Sequence, residues 1–353
     1  MIKSANTSSI FEDSKSDILR ERYSMRPADA QDLEGVVSVI NAAIQELLGT
    51  NESTVEELER DWSTPGFDAQ RDTQVVVNSE GQIVGYCDIF DLSEPHVRMH
   101  IYGRVHPEHT GRGIGSSLIE WGERRARKSI SKAPPGTRVT LYSNMHTINR
   151  KALELFENTG FTRVRESLRM CIELDQELAE PGWPDGIQVR PFERGRDEEA
   201  VVLADREAFS DHWGYIERPF ESDLAIYRHH WFDSEDFNPD LCFLAVDGTE
   251  IAGFSLNRIR VKEDPEMAWI GTLGVRKAWR RRGIGLSLLL HSFGAFKQLG
   301  KARVGLGVDA ESLTGAIQLY LKAGMHPMPE WQWSIMEKEL RAGVDLSIKD
   351  LAE

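Results

Sequence analysis

A glycine-rich loop occurs twice in this chain, and the two copies stand almost half a chain length apart. The first reads HTGRGIG at 109–115 and the second reads WRRRGIG at 279–285. Each follows an apolar run ending in Val and leads into an amphipathic run. Glycines at alternate positions allow successive backbone N–H groups to turn toward one anion, and a following helix adds the positive end of its dipole. Each loop therefore predicts a phosphate site at the start of a helix.

The segments around the two loops repeat as well. Ile83–Tyr86 recurs as Ile251–Phe254, and the run ALELFENTGF at 152–161 corresponds to AIQLYLKAGM at 316–325. The spacing between the copies changes by a few residues along the chain, as loop changes between aligned elements would produce. Self-similarity of this kind is the mark of a duplicated unit. The chain is therefore predicted to be a tandem repeat.

The repeat predicts two domains, and the 353 residues, of which 40% are apolar, suffice for two cores. Alternating strand and helix patterns predict an α/β fold with the same order of elements in both domains. A run of turn formers, EPGWPDG at 180–186, indicates the linker. The expected boundaries are a polar tail at 1–21, a first domain at 22–178, a linker at 179–186, a second domain at 187–341 and a polar tail at 342–353.

Composition restricts the possible partners. A formal charge of −15 argues against nucleic-acid binding. No apolar run approaches the roughly 20 residues of a membrane helix, and the polar start lacks a signal-peptide segment, so we expect a cytoplasmic protein without a membrane partner. The three cysteines show no paired spacing, and adjacent His229 and His230 would diverge by about 100° on a helix, so no metal site is predicted.

Basic residues concentrate at the second loop although the protein is acidic. They are Arg276, Lys277, Arg280, Arg281 and Arg282. A solvated charged loop is the simplest interpretation of such a run. Because a GxG pattern closes it, we expect instead a small polyanionic ligand.

The order of strand, Val, basic GxG loop, helix, strand and AxxLYxxxG resembles the GNAT superfamily of acyl-CoA-dependent N-acyltransferases. The resemblance covers both halves and implies two tandem GNAT-like domains, each with a mixed central sheet flanked by helices. The loop pattern of that superfamily is R/Q-x-x-G-x-G/A, which the second half fits with Arg280, Gly283 and Gly285, whereas the first half has Thr110 in place of Arg or Gln. The ranking of an intact second half over a degenerate first half is similar to that in the mycothiol synthase-like tandem members.

The resemblance implies that the loop amides hold the pyrophosphate of coenzyme A, while the end of the preceding strand pairs with the pantetheine arm. Acetyl-CoA is thus the expected co-substrate, with no metal. The implied site residues are Leu273, Gly274, Val275, Arg280, Arg281, Arg282, Gly283, Ile284, Gly285, Leu286 and Ser287 in the second half and Gly111, Arg112, Gly113, Ile114 and Gly115 in the first.

The resemblance also implies catalytic roles. Tyr320 occupies the position of a phenol that often serves as general acid, and its counterpart Phe156 cannot donate a proton. A glutamate that often serves as general base would fall at Trp269, which cannot accept one. Glu266 is the candidate that we retain for the role of general base, although it could instead be a solvated residue without a role. Thr272 or Asp309 could act as the base through a water molecule, or the amine could bind already neutral and need no base.

The function that these observations favour is an acetyl-CoA-dependent N-acetyltransferase. A small primary amine would attack the thioester directly in the second domain. Asp211–Tyr215 would either line the acceptor pocket or form a helix–helix turn. Trp331 and Trp333 would pack in a core or between the domains rather than form a ligand site. The alternative is a non-catalytic acyl-CoA-binding sensor or scaffold. A monomer is preferred over a homodimer, since a tandem chain already imitates a dimer of single domains.

Overall fold

The computed structural model describes residues 22–234, 237–312 and 315–349, so the predicted tail at 1–21 lies outside the described residues. The chain divides into two compact units. Unit 1 holds the residues up to 145 together with 149–162 and 336–344, and unit 2 holds 146–148, 163–335 and the residues from 345 onward. Among the described residues, no helix is both long and apolar enough to cross a membrane.

Unit 1 is built on a sheet in the order β1-β2-β3-β4-β5, continued by the end of β12. The pairs from β1 to β4 are antiparallel, whereas β4 and β5 run parallel. The elements of the first half are β1 Tyr23–Arg26, α1 Leu33–Leu48, α2 Val55–Trp62, α3 Ala69–Asp72, β2 Thr73–Asn78, β3 Ile83–Phe90, β4 Arg98–Val105, α4 Ile114–Lys128, β5 Val139–His146 and α5 Arg150–Asn158.

Unit 2 repeats the plan with the strand order β7-β8-β9-β10-β11-β6. Again the first pairs are antiparallel, and β10 runs parallel to β11. The remaining elements of the chain are β6 Thr162–Glu173, β7 Ile187–Pro191, α6 Glu198–Phe209, α7 Phe220–Tyr227, β8 Phe243–Asp247, β9 Glu250–Arg258, β10 Met267–Val275, α8 Ile284–Gln298, β11 Arg303–Asp309, α9 Ala316–Lys322 and β12 His326–Arg341.

The closing strand of each repeat is shared unequally between the units. Nearly all of β6, the last strand of the first repeat, belongs to unit 2, where it pairs antiparallel with β11 from Arg303↔Glu173 to Asp309↔Ser167. Conversely, β12 contributes its last residues to unit 1, where Arg138 donates to Glu337 at 2.9 Å. Each unit is therefore completed by a strand that belongs to the other repeat of the sequence.

Two apolar layers cover the faces of the unit 2 sheet. On one face, Ile270 and Leu306 pack with Phe293 of α8 and Tyr320 of α9. On the other face, Phe254 of β9 packs with Val201 of α6 and Leu224 of α7. Side chains of successive strand residues alternate between these layers. The sheet is consequently enclosed by α6 and α7 on one side and by α8 and α9 on the other.

A buried ionic group stabilises unit 1. Arg125 of α4 donates from Nε to Asp72 at 2.8 Å and from Nη2 to Asp91 at 3.2 Å. The side chain of Arg125 is 6% exposed and those of both aspartates 0%. Ser129 adds a further hydrogen bond from the guanidinium at 2.8 Å. Buried charges of this kind are tolerated only while every partner is present.

Candidate functional site

The second glycine-rich loop presents the start of α8 without a side-chain cap. Lys277–Trp279 form a single 3-10 turn, after which Arg281 and Gly283 both take left-handed backbone conformations, with φ of 59° and 90°. Gly283 is the residue that caps α8, and no side chain accepts from the first helical N–H groups. A Cβ at Gly283 would meet nothing within 4 Å. The loop is thus an open cradle of backbone donors, which suits a phosphate group.

The first loop has the same backbone. Gly111 and Gly113 take φ of 73° and 85°, and α4 likewise begins without a side-chain cap. Its side chains differ, because the hydroxyl of Thr110, at the position of Arg280, donates to the carbonyl of Pro107 at 2.9 Å within the loop. Arg112 donates to the hydroxyl of Tyr23 at 2.8 Å. The two loops therefore share a backbone shape and differ in how the rest of each unit supports it.

Arg280 supports the second loop from within. Its guanidinium donates to both carboxylate oxygens of Asp211, and the distance from Nη2 to Oδ1 is 3.1 Å. It also donates to the backbone carbonyls of Ala208 at 2.7 Å and Val275 at 3.2 Å. The side chain therefore ties the loop to the end of α6 and the end of β10. Arg281 and Arg282, by contrast, are exposed. Of the three arginines predicted to contact a cofactor, Arg280 is placed to position the loop.

The strands β10 and β11 separate near the loop. Residues Met267–Ile270 of β10 pair with Arg303–Leu306 of β11, and this pairing ends before β10 does, at Val275. A bulge lies between Ile270 and Thr272, and the later residues of β10 still pair with β9 on their other side. Among the described residues no strand pairs with Leu273–Val275 on the side away from β9, so this side is open except at the Val275 carbonyl, which accepts from Nε of Arg280 at 3.2 Å. A chain carrying amide groups, such as a pantetheine arm, could pair there as an added strand.

Two glycines allow side chains to approach this part of β10. A Cβ at Gly274 would lie 2.5 Å from Cζ of Phe254 and 3.1 Å from Cβ of Ala208. A Cβ at Gly271, in the bulge, would lie 2.3 Å from Cη2 of Trp231. Contacts this short exclude a side chain at either position without repacking. The open segment of β10 is thus held against α6 by packing that only glycine permits.

Tyr320 lies in α9, in the apolar layer that also holds Leu273 and Leu286. Its side chain is buried, and burial raises the pKa of its phenol to about 12. Among the described residues, no hydrogen bond to its hydroxyl is present. In unit 1 the matching Phe156 packs on Phe161 with 4.7 Å between ring centroids. The structure therefore places the Tyr320 side chain in the layer that borders the open end of β10.

Glu266, the base candidate of the sequence, lies away from the loop. It is exposed, precedes the first residue of β10, and its carbonyl accepts from the N–H of Ala302 at 3.2 Å. It stands nine residues before Val275, which corresponds to roughly 30 Å along a strand. The structure does not bring Glu266 together with the loop and Tyr320, and this placement gives no support to a role as general base.

A carboxylate that sequence reasoning missed lies much closer. Thr272 of β10 donates to Asp205 of α6 at 3.4 Å. Burial raises the pKa of Asp205 to about 6, while hydrogen bonds from Tyr227 and Thr272 act to lower it. One signal was available, because position 205 follows Val201 by four residues and precedes Ala208 by three, which puts it on the buried stripe of α6. An acidic residue on such a stripe predicts a buried carboxylate.

The segment Asp211–Tyr215 is fixed by the end of the chain. Gly214 donates to the carbonyl of Ile348 at 2.7 Å, and Ile348 donates back to Tyr215 at 3.0 Å. Two cations lie near the Trp213 ring, with the guanidinium carbon of Arg165 5.3 Å and Nζ of Lys349 4.6 Å from its centroid. Residues 345–349, which the sequence assigned to a polar tail, therefore brace this segment.

A cluster of indole rings surrounds Arg169 on the α6 side of the sheet. The guanidinium carbon lies 3.9 Å from the ring centroid of Trp331, 4.9 Å from that of Trp269 and 5.5 Å from that of Trp333. Its Nη2 donates to Glu263 at 3.0 Å. Trp269, the residue at the position of the expected glutamate, is thus occupied in stacking. Trp331 and Trp333 share one face of β12, as alternate strand residues should.

Two groups of three potential metal ligands are present among the described residues, although the sequence predicts no metal. They are His106, Glu108 and His109 in unit 1 and Cys171, Glu173 and His326 in unit 2, with the ligand atoms of each group within 4.8 Å of one another. One histidine of each group already has a hydrogen-bond partner, because His109 bonds to Tyr23 outside its group at 2.9 Å and His326 bonds to Glu173 within its group at 2.9 Å.

Comparison with known proteins finds similarity along most of the chain. The model of the acetyltransferase (GNAT) family matches residues 206–325, and that of the acetyltransferase (GNAT) domain matches residues 70–163. A mycothiol acetyltransferase of Saccharopolyspora erythraea is 34% identical over 255 residues, which are 70% of this chain and 79% of that protein. Another from Amycolatopsis mediterranei is 28% identical over 306 residues, covering 84% and 92% of the two chains.

Solved structures give the same result. A GCN5-related N-acetyltransferase from Sphaerobacter thermophilus is 35% identical with a TM-score of 0.74, covering 92% of this chain and 98% of that one. A tandem GNAT protein from the clavulanic acid biosynthesis pathway is 15% identical with a TM-score of 0.66, covering 91% and 99%, and shows the same fold. Both glycine-rich loops lie inside the ranges that the family models match.

Proposed function

The chain belongs to the GNAT family of acetyltransferases, and from this premise we propose that unit 2 binds acetyl-CoA and transfers its acetyl group to the amine of a small acceptor. Membership confirms the α/β fold class, the tandem GNAT-like organisation and the N-acyltransferase activity that the sequence predicted. The assignment of the reaction to unit 2 rests above all on one observation. In unit 2 the open end of the parallel strand pair adjoins a loop tethered by Arg280 and the layer that holds the Tyr320 phenol, whereas Phe156 stands at the matching position of unit 1.

The cofactor assignment follows from the chemistry of the cradle. The uncapped start of α8 and the left-handed residues at 281 and 283 supply N–H donors for a pyrophosphate. The exposed Arg281 and Arg282 add positive charge at the same end. The open backbone of Leu273–Val275 fits the amides of a pantetheine arm. Acetyl-CoA, when bound, would supply the reactive thioester beside Thr272, where the strands separate.

Tyr320 is the general acid in this proposal. The bond between the amine nitrogen and the carbonyl carbon forms while the carbon–sulfur bond breaks, so that the departing sulfur needs a proton. A phenol whose pKa is about 12 remains protonated at neutral pH and can donate it. The same apolar surroundings would also raise the pKa of a thiolate and so favour the transfer. In unit 1, Phe156 offers no such proton, which supports a non-catalytic role for that unit.

For the acceptor we propose an amine of the mycothiol type, because the relatives that match most of this chain are named mycothiol acetyltransferases. The α6 side of the unit 2 sheet is rich in aromatic and acidic side chains, although its indoles stack on Arg169 and its carboxylates Glu263 and Asp309 pair with Arg169 and Arg165. The net charge of −15 attracts a cationic acceptor at long range.

The alternative is an acyl-CoA-binding protein without turnover, and one observation favours it. Trp269 replaces the expected glutamate and stacks on Arg169, while Glu266 lies at the far end of β10. A sensor would need the cradle and the open strand but would need neither a base nor a phenol. Since Tyr320 is retained beside the open strand, the enzyme is the better-supported proposal.

The test compares the wild type with Tyr320→Phe, using the unacetylated amine form of mycothiol and a panel of simple primary amines. We expect kcat to fall by about 10²-fold or more while the Kd for acetyl-CoA, measured by calorimetry, stays within about twofold. The matched control is Phe156→Tyr, which places the hydroxyl at the same position in unit 1 and should change neither quantity. Equal acetyl-CoA consumption by the wild type and Tyr320→Phe would remove the assigned role, and no consumption by the wild type would favour the sensor.

A further inference from the structure

Three carboxylates lie near the open end of β10 on the α6 side of the sheet, and their partners differ. Asp211 is paired with Arg280, and Asp309 accepts from Nε of Arg165 at 2.9 Å. Asp205 accepts hydrogen bonds only from hydroxyl groups and has no ion pair to a cation among the residues that the structure describes. A carboxylate held by an arginine binds a proton weakly, whereas one held by hydroxyls can accept it. Asp205 is therefore the carboxylate of the three that is fit to act as a base.

The position of Asp205 also suits that role. Its hydroxyl partner Thr272 immediately precedes Leu273–Val275, the segment that we assign to the pantetheine arm, on the side away from the loop. With the pyrophosphate at the loop, the reactive end of the arm must lie toward Thr272. The side chain of Asp205 is mostly buried but keeps some exposure. An amine that reaches the thioester from the α6 side would thus arrive beside this carboxylate.

We propose that Asp205 is the general base of the reaction, an inference that rests on the proposed function. Its carboxylate takes the proton that the amine nitrogen loses as the nitrogen–carbon bond forms. The carbon–sulfur bond breaks in the same reaction, and the sulfur takes a proton from Tyr320. The sum is amine plus thioester giving amide plus thiol. Asp205 then releases its proton to water, and the phenolate of Tyr320 recovers one.

The surroundings of Asp205 set the pH at which it works. Burial raises its pKa to about 6, the hydroxyls of Tyr227 on α7 and Thr272 on β10 stabilise the carboxylate, and the charge of Asp223 on α7 destabilises it. Asp223 is itself paired with Arg206. The base is ionised above its pKa and protonated below it. We therefore expect kcat/KM to fall as the pH drops through about 6.

The first variant is Asp205→Asn, which keeps an acceptor oxygen for both hydroxyls and removes the ability to take a proton. We expect kcat to fall by 10²- to 10⁴-fold, with unchanged acetyl-CoA affinity in calorimetry and the loss of the acidic limb of the pH profile. Two further variants shift that limb in opposite directions. Tyr227→Phe removes a stabilising donor and moves it to higher pH, whereas Asp223→Asn removes a repulsive charge and moves it to lower pH.

A direct titration gives a readout besides activity. In protein labelled with ¹³C at aspartate carboxyl carbons, the signal missing from Asp205→Asn identifies Asp205, and its midpoint should lie near pH 6 rather than near 4. Turnover by Asp205→Asn within about twofold of the wild type would overturn the assignment. So would a titration midpoint of Asp205 near pH 4 together with an acidic limb of the pH profile that Tyr227→Phe does not shift. Absence of turnover in the wild type overturns the proposed function, so the two failures are distinguishable.

Discussion

Replacing Gly283 by Asp should abolish most of the affinity for acetyl-CoA while leaving unit 2 folded. Gly283 caps α8 at φ 90°, and a Cβ there meets nothing within 4 Å. The new side chain therefore clashes with no protein atom and instead projects into the open cradle. Its carboxylate would repel the pyrophosphate and would compete for the same helix N–H groups.

The magnitude follows from simple electrostatics. Two unit charges about 6 Å apart repel by about 3 kcal/mol at an effective dielectric constant of ~20, and by under 1 kcal/mol in bulk water. The cradle is exposed on one side, so the repulsion from each phosphate lies between these limits, and two phosphates together give about 3 kcal/mol. That value corresponds to about a hundredfold increase in Kd. The left-handed backbone costs an Asp about 1–2 kcal/mol of folding free energy, which lowers Tm by a few degrees.

The assay is calorimetric titration of acetyl-CoA, with thermal unfolding recorded for each protein. The matched control is Gly113→Asp, which changes the equivalent residue of the first loop at nearly the same φ, 85°. We expect Gly113→Asp to carry a similar folding cost and to leave the main binding event intact. If Gly283→Asp binds as the wild type does, the cradle is not the pyrophosphate site. If Gly113→Asp alone loses binding, the site belongs to unit 1 and the ranking of the two units is reversed.

Two further predictions concern stability, each measured as the free energy of unfolding in denaturant. Gly274→Ala should lower the free energy of unfolding of unit 2 by about 1–3 kcal/mol, because the new Cβ would lie 2.5 Å from Cζ of Phe254. Adding Phe254→Leu to the same protein should recover part of this loss. Equal stability of Gly274→Ala and the wild type would contradict the prediction. Asp72→Ala should lower the free energy of unfolding of unit 1 by about 3–5 kcal/mol, because Arg125 would stay buried without its main partner. A decrease of less than about 1 kcal/mol would show that the ionic group contributes little to stability.

The elements and both loops could be predicted from the sequence because their signals are local. The glycine spacing at 111–115 and 283–285, and the apolar periodicity of α1 and α4, depend on a few consecutive residues. The exchange of β6 and β12 between the units could not be predicted in this way. Pairing between β6 and β11 joins residues more than a hundred positions apart, and the period-two pattern of a strand indicates which face is buried without indicating which strand lies beside it.

Side-chain roles depend on the same distinction between local pattern and distant contact. Arg280 was grouped with Arg281 and Arg282 as a cluster of positive charge, but its partner Asp211 lies on a different segment. Charges that are neighbours in sequence therefore need not share a ligand. A tethered Arg280 can fix the loop shape on which the backbone donors depend, and its effect on acetyl-CoA binding would then be indirect.

The proposed general base lies on a different element from the glutamate that the sequence comparison led us to expect. Trp269 stands where a glutamate would have faced the acceptor, and its ring lies against Arg169 and above Gly305, where a Cβ would be 3.0 Å from the indole. A glutamate in that place would form an ion pair with Arg169, and the paired carboxylate would be a poor base. The aromatic lining of this face and a base on β10 are thus incompatible. Asp205 contacts β10 from α6 at Thr272, so the proposed proton acceptor and the aromatic lining can coexist on this face of the sheet.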